Sequence, residues 1–401
     1  MSEFLLNEVC ELIVDCPHTT ANDEGKGFPL VRTPNIGKGR LVYDGMHRVC
    51  EDVYNKRNAR AIPQENDLIF AREATAGNVA LIQKGEKVCL GQRTVLIRPN
   101  QEKVNPAFLT YFLLAPKQQY NLLSTANGAT VAHVNLPTIR NLKIDLPELP
   151  TQHRIATILS RYDSLIENHQ KQIKLLEEAA QRLYKEWFVD LRFPGHENTK
   201  IVDGVPEGWE LKSVTNNHLF NVAKCPIALF NGNKTYYATA DVEGTYFCNS
   251  GVKIEYDNKP SRAQIQPSLY SVWFARMSNS FKIVGFVEQN NNRREDSILS
   301  SGFAGFESHY ERFGFLYCLI SSQWFNDQKD RYATGATQVS ITNEGLSRIR
   351  CLLPTTRLAE EFSLVTNKII EETILYRENC IMLAEARDRL LPKLMSGEIE
   401  I

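Results

Sequence analysis

The chain has 401 residues, of which 43% are hydrophobic and 23% are charged, and its formal net charge is −1. No apolar run approaches roughly 18 residues, the length of a membrane span, so the composition indicates a soluble protein of several domains. A near-neutral chain neither favours nor excludes a nucleic-acid partner, and any binding surface must be a local patch.

The cysteines and the N-terminus predict a cytoplasmic protein. Nine cysteines occur, an odd number, and none forms a CxxC pair. This pattern argues against a zinc cluster and against a disulfide framework, and free thiols suit a reducing compartment. The N-terminal sequence MSEFLLNEVCELIVDC carries acidic residues where a signal peptide has a basic region, so we expect no export.

Residues 1–150 are predicted to form a first domain of mixed α/β structure. Short apolar runs predict strands over 67–71, 79–82 and 94–97. A helix is predicted over about 106–122, because a proline stands at its first turn. A polar loop containing glycine follows, and then a short strand that ends at Leu146-Pro147.

Residues 151–188 carry the apolar pattern of a coiled coil. In steps of seven, one row is Ile155, Tyr162, His169, Leu176 and Leu183, and the second is Leu159, Ile166, Ile173, Ala180 and Trp187. Polar and charged side chains fill most other positions, which is typical of a helix with one apolar seam. At about 1.5 Å per residue the helix would measure roughly 57 Å. Such a helix requires a partner, and His169 is expected to pack in the seam rather than bind a ligand.

The partner is predicted at the C-terminus, because the chain repeats at an offset of 207 residues. Leu146-Pro147 recurs as Leu353-Pro354, and Arg182-Leu183 recurs as Arg389-Leu390. The first row recurs as Phe362, Ile369, Tyr376, Leu383 and Leu390, and the second, more weakly, as Thr366, Thr373, Cys380, Arg387 and Leu394. The chain is therefore predicted to contain two copies of a domain followed by a long helix.

The second copy repeats the framework of the first domain but little of its surface. The matching segments are Leu68–Arg72 with Val272–Arg276, Gly128–Thr130 with Gly335–Thr337, and Val134-Asn135 with Ile341-Thr342. The predicted segments are the domain 1–150, the helix 151–188, a linker 189–208, the second domain 209–356, and a second long helix with a tail, 357–401. The predicted fold class is α+β. Each domain is expected to hold the same fold and to recognise something different.

The sequence carries no motif of an active site. It lacks a GxxxxGK[ST] loop, a GxGxxG turn between a strand and a helix, an Asn-Pro-Pro-Tyr tetrapeptide, and the HExxH and HxE…PCxxC zinc signatures. Its eight histidines are scattered singly. We therefore predict a protein without a catalytic role, a metal site or a cofactor of its own.

A binding role remains, since Arg or Lys can pair with guanine edges and Asn or Gln with adenine edges. The candidate DNA-binding residues of the first domain are Lys26, Arg32, Lys38, Arg40, Arg72, Arg93, Thr130 and Asn135, and those of the second are Arg276, Asn279, Arg293, Arg294, Gln338 and Thr342. Each of these residues is alternatively a solvated surface group or a hydrogen-bond partner within the fold. Arg72 and Arg276 follow a strand in both copies, which fits either recognition or a structural ion pair.

Several stretches resemble the specificity subunit of type I restriction–modification systems, and the resemblance spans essentially the whole chain. They are Gln181–Phe188 with Arg192–Gly195, Gly204–Trp209, and Leu390–Ile399, and the Leu-Pro before each helix and the Gly-Ala-Thr loops also match. One departure is the start of the second helix, where Thr355-Thr-Arg357 replaces the glutamine found in Thr151-Gln-His153.

The resemblance implies two target recognition domains held apart by an antiparallel pair of helices. It also implies two methyltransferase subunits that use S-adenosylmethionine, and translocating restriction subunits that use ATP and Mg²⁺, with no cofactor on this chain. A repeat about a pseudo-two-fold axis agrees with this arrangement, because it makes the helices antiparallel. Two unequal domains would then read the halves of an asymmetric, bipartite DNA target. The paired helices would also dock the partner subunits, although Trp187 is expected to close the seam instead.

Two other readings stay open from the residues. The first is a non-catalytic coiled-coil adaptor whose duplicated domains bind protein, which the neutral charge would suit. The second is a fused restriction–methylation enzyme that lacks its N-terminal part. Its catalytic motifs would then lie upstream of Met1.

Overall fold

The computed structural model describes residues 2–124, 133–336 and 338–401. Its contacts divide into two compact units: unit 1 comprises Met1–Leu165 with Leu383–Ile401, and unit 2 comprises Ile166–Met382. Both units contain helices and sheets, so the chain belongs to the α+β class. Among the described residues, no helix is long and apolar enough to cross a membrane.

The described residues of unit 1 form nine short strands, four short helices and parts of two long helices. The strands are β1 (Ser2–Leu5), β2 (Cys10–Asp15), β3 (Phe28–Val31), β4 (His47–Val49), β5 (Leu68–Ala71), β6 (Val79–Leu81), β7 (Cys89–Leu90), β8 (Thr94–Pro99) and β9 (Lys143–Leu146). The helices are α1 (Glu51–Arg57), α2 (Pro106–Leu114), α3 (Pro116–Leu123), α4 (Leu136–Arg140) and the long helix α5 (Leu149–Tyr184).

The strands of unit 1 form two sheets and one pair. The larger sheet has the order β2-β8-β5-β6 and is antiparallel throughout. The smaller has the order β4-β3-β7, in which β3 pairs antiparallel with β4 and parallel with β7. Strand β1 pairs antiparallel with β9. Strand β5 is buried along its whole length. The backbone of Arg72, the next residue, is therefore held in a defined position.

Strands β5, β6 and β8 confirm the three predicted strands, but the single helix predicted over 106–122 is wrong. The chain leaves the helical conformation at Ala115, with φ −64° and ψ 142°, and α3 then begins at Pro116. Proline disfavours the helical conformation in the residue before it and has no N–H to continue the ladder. The segment therefore forms two helices.

In the part of unit 2 that the structure describes, there are fourteen strands and four short helices. The strands are β10 (Ile201–Val202), β11 (Val205–Pro206), β12 (Glu210–Ser213), β13 (Asn221–Val222), β14 (Lys234–Tyr237), β15 (Val242–Glu243), β16 (Tyr246–Phe247), β17 (Val252–Ile254), β18 (Ala263–Ile265), β19 (Ser271–Ala275), β20 (Ile283–Phe286), β21 (Ser297–Ser300), β22 (Phe303–Glu307) and β23 (Arg350–Leu353). The helices are α6 (Asn291–Asp296), α7 (Tyr310–Ile320), α8 (Gln323–Arg331), α9 (Asn343–Arg348) and the long helix α10 (Thr356–Ser396), whose last part belongs to unit 1.

Unit 2 repeats the strand order of the larger sheet of unit 1 and adds one strand, β18, to the counterpart of the smaller sheet. Its antiparallel sheet has the order β13-β22-β19-β20. A second sheet has the order β17-β14-β21-β18, in which β14 pairs antiparallel with β17 and parallel with β21. Strand β12 pairs antiparallel with β23. Each strand pairing of unit 1 thus has a counterpart of the same direction in unit 2.

The long helices contact one another within each unit. In unit 1, Asp163 of α5 forms an ion pair with Arg387 of α10. In unit 2, the His169 ring stacks on Tyr376 with centroids 4.7 Å apart, while the Trp187 ring, just beyond α5, lies 5.4 Å from Phe362. Within unit 2, residue numbers on the α5 side rise while those of their α10 partners fall, so the paired segments run in opposite directions.

Buried threonines explain the weak second row of α10. Thr366 and Thr373 are almost fully buried. Their hydroxyl groups donate to the carbonyls of Phe362 at 3.0 Å and Ile369 at 2.7 Å, one turn earlier in the same helix. Hydroxyl groups satisfied in this way can occupy an apolar seam without leaving an unpaired polar atom.

Candidate nucleic-acid interface

Arg72 joins the end of β5 to two other segments of unit 1. Its Nη1 donates to Asp15 Oδ2 at 2.7 Å, and its Nε donates to the Val134 carbonyl at 2.9 Å. Its Nη2 lies 2.8 Å from His133 Nε2. Because a guanidinium can only donate, Nε2 of His133 accepts and the ring proton sits on Nδ1. The His133 Nδ1 proton then points to Glu73 Oε1, which lies 2.6 Å away.

The charges around Arg72 are largely compensated within unit 1. Arg93 forms an ion pair with Glu73. Asp15 Oδ2 lies 3.2 Å from Nε2 of His18. Arg93 itself has a positive φ of 66° and an exposed side chain. Arg72 is 8% exposed, so its guanidinium is committed to the fold, whereas Arg93 reaches solvent beside it.

Arg276 holds the same place at the end of β19. Its Nη1 donates to the Ile341 carbonyl at 3.1 Å, its Nε to the Phe303 carbonyl at 3.2 Å, and its Nη2 to Asn343 Oδ1 at 2.9 Å. All three acceptors are neutral, and no carboxylate pairs with Arg276 among the described residues. Burial lowers the pKa of Arg276 from its ordinary value. Its charge is therefore less compensated than that of Arg72.

The backbone around the two arginines follows one plan. The amide of Val134 donates to the Arg72 carbonyl at 3.0 Å, and the amide of Ile341 donates to the Arg276 carbonyl at 2.9 Å. In both units, a guanidinium and a carbonyl of one arginine thus hold the segment that leads into a short helix. The side chains presented around this common frame differ between the units.

The remaining candidates beside Arg276 are Asn279, Gln338 and Thr342. Asn279 and Gln338 are exposed, and the Ser278 amide donates to the Val339 carbonyl at 2.9 Å, so their two loops are adjacent. Thr342 caps α9, because its hydroxyl accepts from the Gly345 amide at 3.0 Å. Asn135 holds the equivalent cap position of α4 but makes no capping bond with its side chain. Thr130 lies outside the described residues.

Arg293 and Arg294 lie on α6, away from this group in the chain, and both have partners. Arg293 makes a two-point contact with Glu378 of α10 at 2.7 and 2.9 Å, and its Nη1 donates to the Tyr237 hydroxyl at 2.8 Å. Arg294 donates to Asn291 Oδ1 at 2.8 Å. These contacts favour the structural alternative for Arg293, whose two-point contact ties α6 to α10.

The four cationic candidates of the first loop segment lie before and after β3. Lys26 and Lys38 are exposed, while Arg32 and Arg40 are half-buried. Arg32 Nη2 donates to the Gly45 carbonyl at 3.1 Å, and Arg40 Nη1 donates to the Gly39 carbonyl at 3.3 Å. The amide of Gly39 donates to the Val79 carbonyl at 2.8 Å, so this loop lies beside β6.

Sequence reasoning missed Lys329 and Asp330 of α8. Lys329 is 2% exposed, and its Nζ donates to the carbonyls of Met277 at 3.1 Å and Ser280 at 2.5 Å. Asp330 accepts from the Asn279 amide at 3.1 Å. The local sequence DQKDR has the composition of a solvated helix surface, so nothing in it signalled a buried lysine.

The described residues contain no group of three or more His, Cys, Asp or Glu side chains placed to hold a metal ion.

Comparisons with known proteins agree on one class. Residues 1–178 match the family model described as Type I restriction modification DNA specificity domain. The type I restriction enzyme MjaIX specificity subunit of Methanocaldococcus jannaschii is 24% identical over 402 residues, covering 94% of this chain and 88% of that protein. The putative type I restriction enzyme MjaX specificity subunit of the same organism is 25% identical over 410 residues, covering 99% and 93%.

A solved structure shares the fold. The S subunit of a type I restriction–modification system from M. genitalium aligns with a TM-score of 0.61 at 16% identity, over 98% of this chain and 95% of that one. The family model over residues 1–178 and the relatives that align with nearly the whole chain name the same class, so the chain is similar along its length to type I restriction–modification specificity subunits.

Proposed function

We propose that this chain is the sequence-specific DNA-recognition subunit of a type I restriction–modification complex. The observation that carries the proposal is that each strand pairing of unit 1 recurs in unit 2, and that in each unit an arginine after a buried strand holds a segment whose surrounding side chains differ from those of the other unit. The shared strand pairings would place this segment in the same way in both units. The different side chains around it would let each unit recognise a different DNA sequence. The target would then be asymmetric and bipartite.

The long helices would act as the spacer between the two readers. The proposed segments are a recognition domain over 1–150, a helix over 151–188, a linker over 189–208, a second domain over 209–356 and a helix with a tail over 357–401. Contacts between α5 and α10 inside each unit support an antiparallel coiled coil. The repeat at an offset of 207 residues supports the pseudo-two-fold relation.

The chemistry is assigned to partner subunits. Two methyltransferase subunits would bring S-adenosylmethionine, and restriction subunits would bring ATP and Mg²⁺, while this chain binds none of these cofactors. An adenine inside a duplex must be flipped out before it can be methylated, and the methyltransferase subunits would perform that step. This chain would select the DNA target sequence and act as the scaffold for the partner subunits, in the cytoplasm.

Salt dependence tests DNA recognition against the adaptor alternative. Phosphate contacts release counterions, so log K for DNA should fall linearly with log salt; six to ten contacts would reduce affinity about 10³- to 10⁵-fold between roughly 50 and 200 mM. The measurement is a binding titration of the assembled complex on a duplex that carries its target, with and without this chain. Binding that does not depend on this chain would support the adaptor.

A further inference from the structure

We propose that Asn279 reads an adenine edge in the half-site of unit 2, and that Lys329 positions the loop that carries it. The loop is Met277–Phe281, named here the Asn279 loop, and it connects β19 to β20. The inference rests on the proposed function and deepens it, because it assigns one base contact and the residue that supports it. Neither role is apparent from the family resemblance.

The backbone of Asn279 is fixed in an uncommon conformation. Its φ is 53°, in the left-handed region, which asparagine enters more readily than most residues but which still carries a conformational cost. Its amide donates to Asp330 Oδ1 at 3.1 Å. Its side chain is exposed and has no hydrogen-bond partner among the described residues. The amide group is therefore held outward with its bonding capacity unused.

Lys329 is hydrogen-bonded to two residues of the Asn279 loop, one near each end of it. Its Nζ donates to the carbonyls of Met277 and Ser280, and its ammonium lies 3.3 Å from Asp330. Burial lowers the pKa of Lys329, and Asp330 acts in the opposite direction. A buried ammonium opposes folding unless its hydrogen bonds are made. Its use here to hold a loop with an exposed tip at Asn279 therefore points to a need for a defined loop shape.

The exposed chemistry of the loop fits a base edge in the major groove. A side-chain amide donates and accepts at once, which matches N7 and N6 of adenine. Met277 and Phe281 flank it with 38% and 40% of their surfaces exposed, and apolar side chains of this kind contact the thymine methyl group. Arg276, immediately before the loop and without a carboxylate partner among the described residues, adds a positive charge near it, which favours a nearby phosphate.

The test uses three variants in the complete complex, with genomic methylation mapped for each. Asn279→Gly removes the amide while glycine keeps the positive φ without strain. We expect this variant to relax one base position in one half-site by about tenfold to hundredfold in discrimination, with the other half-site unchanged. Lys329→Met should relax the same position, because the loop loses both of its anchors.

Asn258→Gly is the matched control, since Asn258 is an exposed asparagine elsewhere in unit 2, and it should leave the motif unchanged. Thermal melting of each variant distinguishes misfolding from a loss of base discrimination. If Lys329→Met does not fold, the result for Asn279→Gly alone tests the proposed base contact. A wild-type complex that methylates no gapped motif would refute the proposed function. A wild-type complex that does, with the Asn279→Gly complex equally selective at every position, would overturn only the present inference.

Discussion

Arg72 and Arg276 occupy equivalent positions but meet different electrostatic environments. Arg72 faces Asp15 and is joined through His133 to Glu73, whereas Arg276 donates only to two carbonyls and an amide oxygen. Both arginines hold the backbone in the same way, so the position is required by the frame. In our proposal, this difference in charge is part of the surface that each unit would present to its own half of the target.

Thiol reactivity tests the burial of individual residues. Burial raises the pKa of Cys89 to about 11 and that of Cys351 to about 12, whereas Cys50 and Cys248 are exposed. Only the thiolate reacts, so raising a thiol pKa from about 9 to about 11 lowers its thiolate fraction at pH 8 about a hundredfold. Cys50 and Cys248 should be alkylated first, as followed by mass spectrometry of labelled peptides. Equal rates at Cys89 and Cys50 would contradict this packing.

At the residue scale, the sequence could indicate the arginines but not their partners. The repeat placed Arg72 and Arg276 after equivalent strands, because strand ends and their matches are local features. The partners of Arg72 include Asp15, far along the chain, so only the folded sheet brings them together. Lys329 was missed for the same reason: its burial depends on the loop between β19 and β20, and its neighbours in sequence are polar.

At the element scale, the buried pair Asp163–Arg387 connects α5 to α10 within unit 1. Asp163 Oδ1 accepts from Arg387 at 2.5 Å, and its Oδ2 accepts from the Tyr111 hydroxyl of α2 at 2.5 Å. Asp163 is 5% exposed. A single buried polar pair in an apolar seam is satisfied in only one register, so it favours one alignment of the helices over slipped alternatives.

Removing one member of this pair should destabilise the chain strongly. Asp163→Leu leaves a partly buried guanidinium without its carboxylate, and we expect a loss of about 3–5 kcal/mol in the free energy of unfolding. Urea denaturation followed by circular dichroism measures the change. The double variant Asp163→Leu/Arg387→Met should recover most of the loss, since no charge is left unpaired.

The exposed helical pair Arg357–Glu361 of α10 is the control for this prediction. Solvent screens that pair, so Glu361→Ala should leave the urea midpoint nearly unchanged. A midpoint for Asp163→Leu no lower than that for Glu361→Ala would show that the buried pair does not stabilise the helix contact.

The elements with a local pattern could be predicted, and those set by distant contacts could not. The long helix α5 and strands β5, β6 and β8 follow from their periodicity and apolar runs. The break at Ala115 has a local cause in the sequence, namely Pro116. The apolar residues before it favoured the prediction of one continuous helix. The parallel pairing of β3 with β7 joins Leu30 to Cys89 and has no local signature in the sequence.

At the scale of the whole molecule, duplication with divergence would account for the asymmetric target that we propose. The two units share their strand pairings and an arginine at the end of the equivalent strand. In unit 2, Lys329 and Asp330 also support the Asn279 loop, and our proposal assigns this arrangement to unit 2 alone. The sequence repeat predicts two recognition domains, and this remains a prediction. It could not predict which side chains face a ligand, because exposure is decided by the folded surface.

The most direct measurement of the central claim is a map of adenine methylation in a genome. The chain would be co-expressed with its methyltransferase subunit, and methylated sites compared with those of cells that lack this chain. Our account predicts methylation at one asymmetric, gapped motif that disappears when the chain is deleted. An assembled complex that methylates no such motif, or a motif that persists without the chain, would contradict the claim that this protein selects the DNA target.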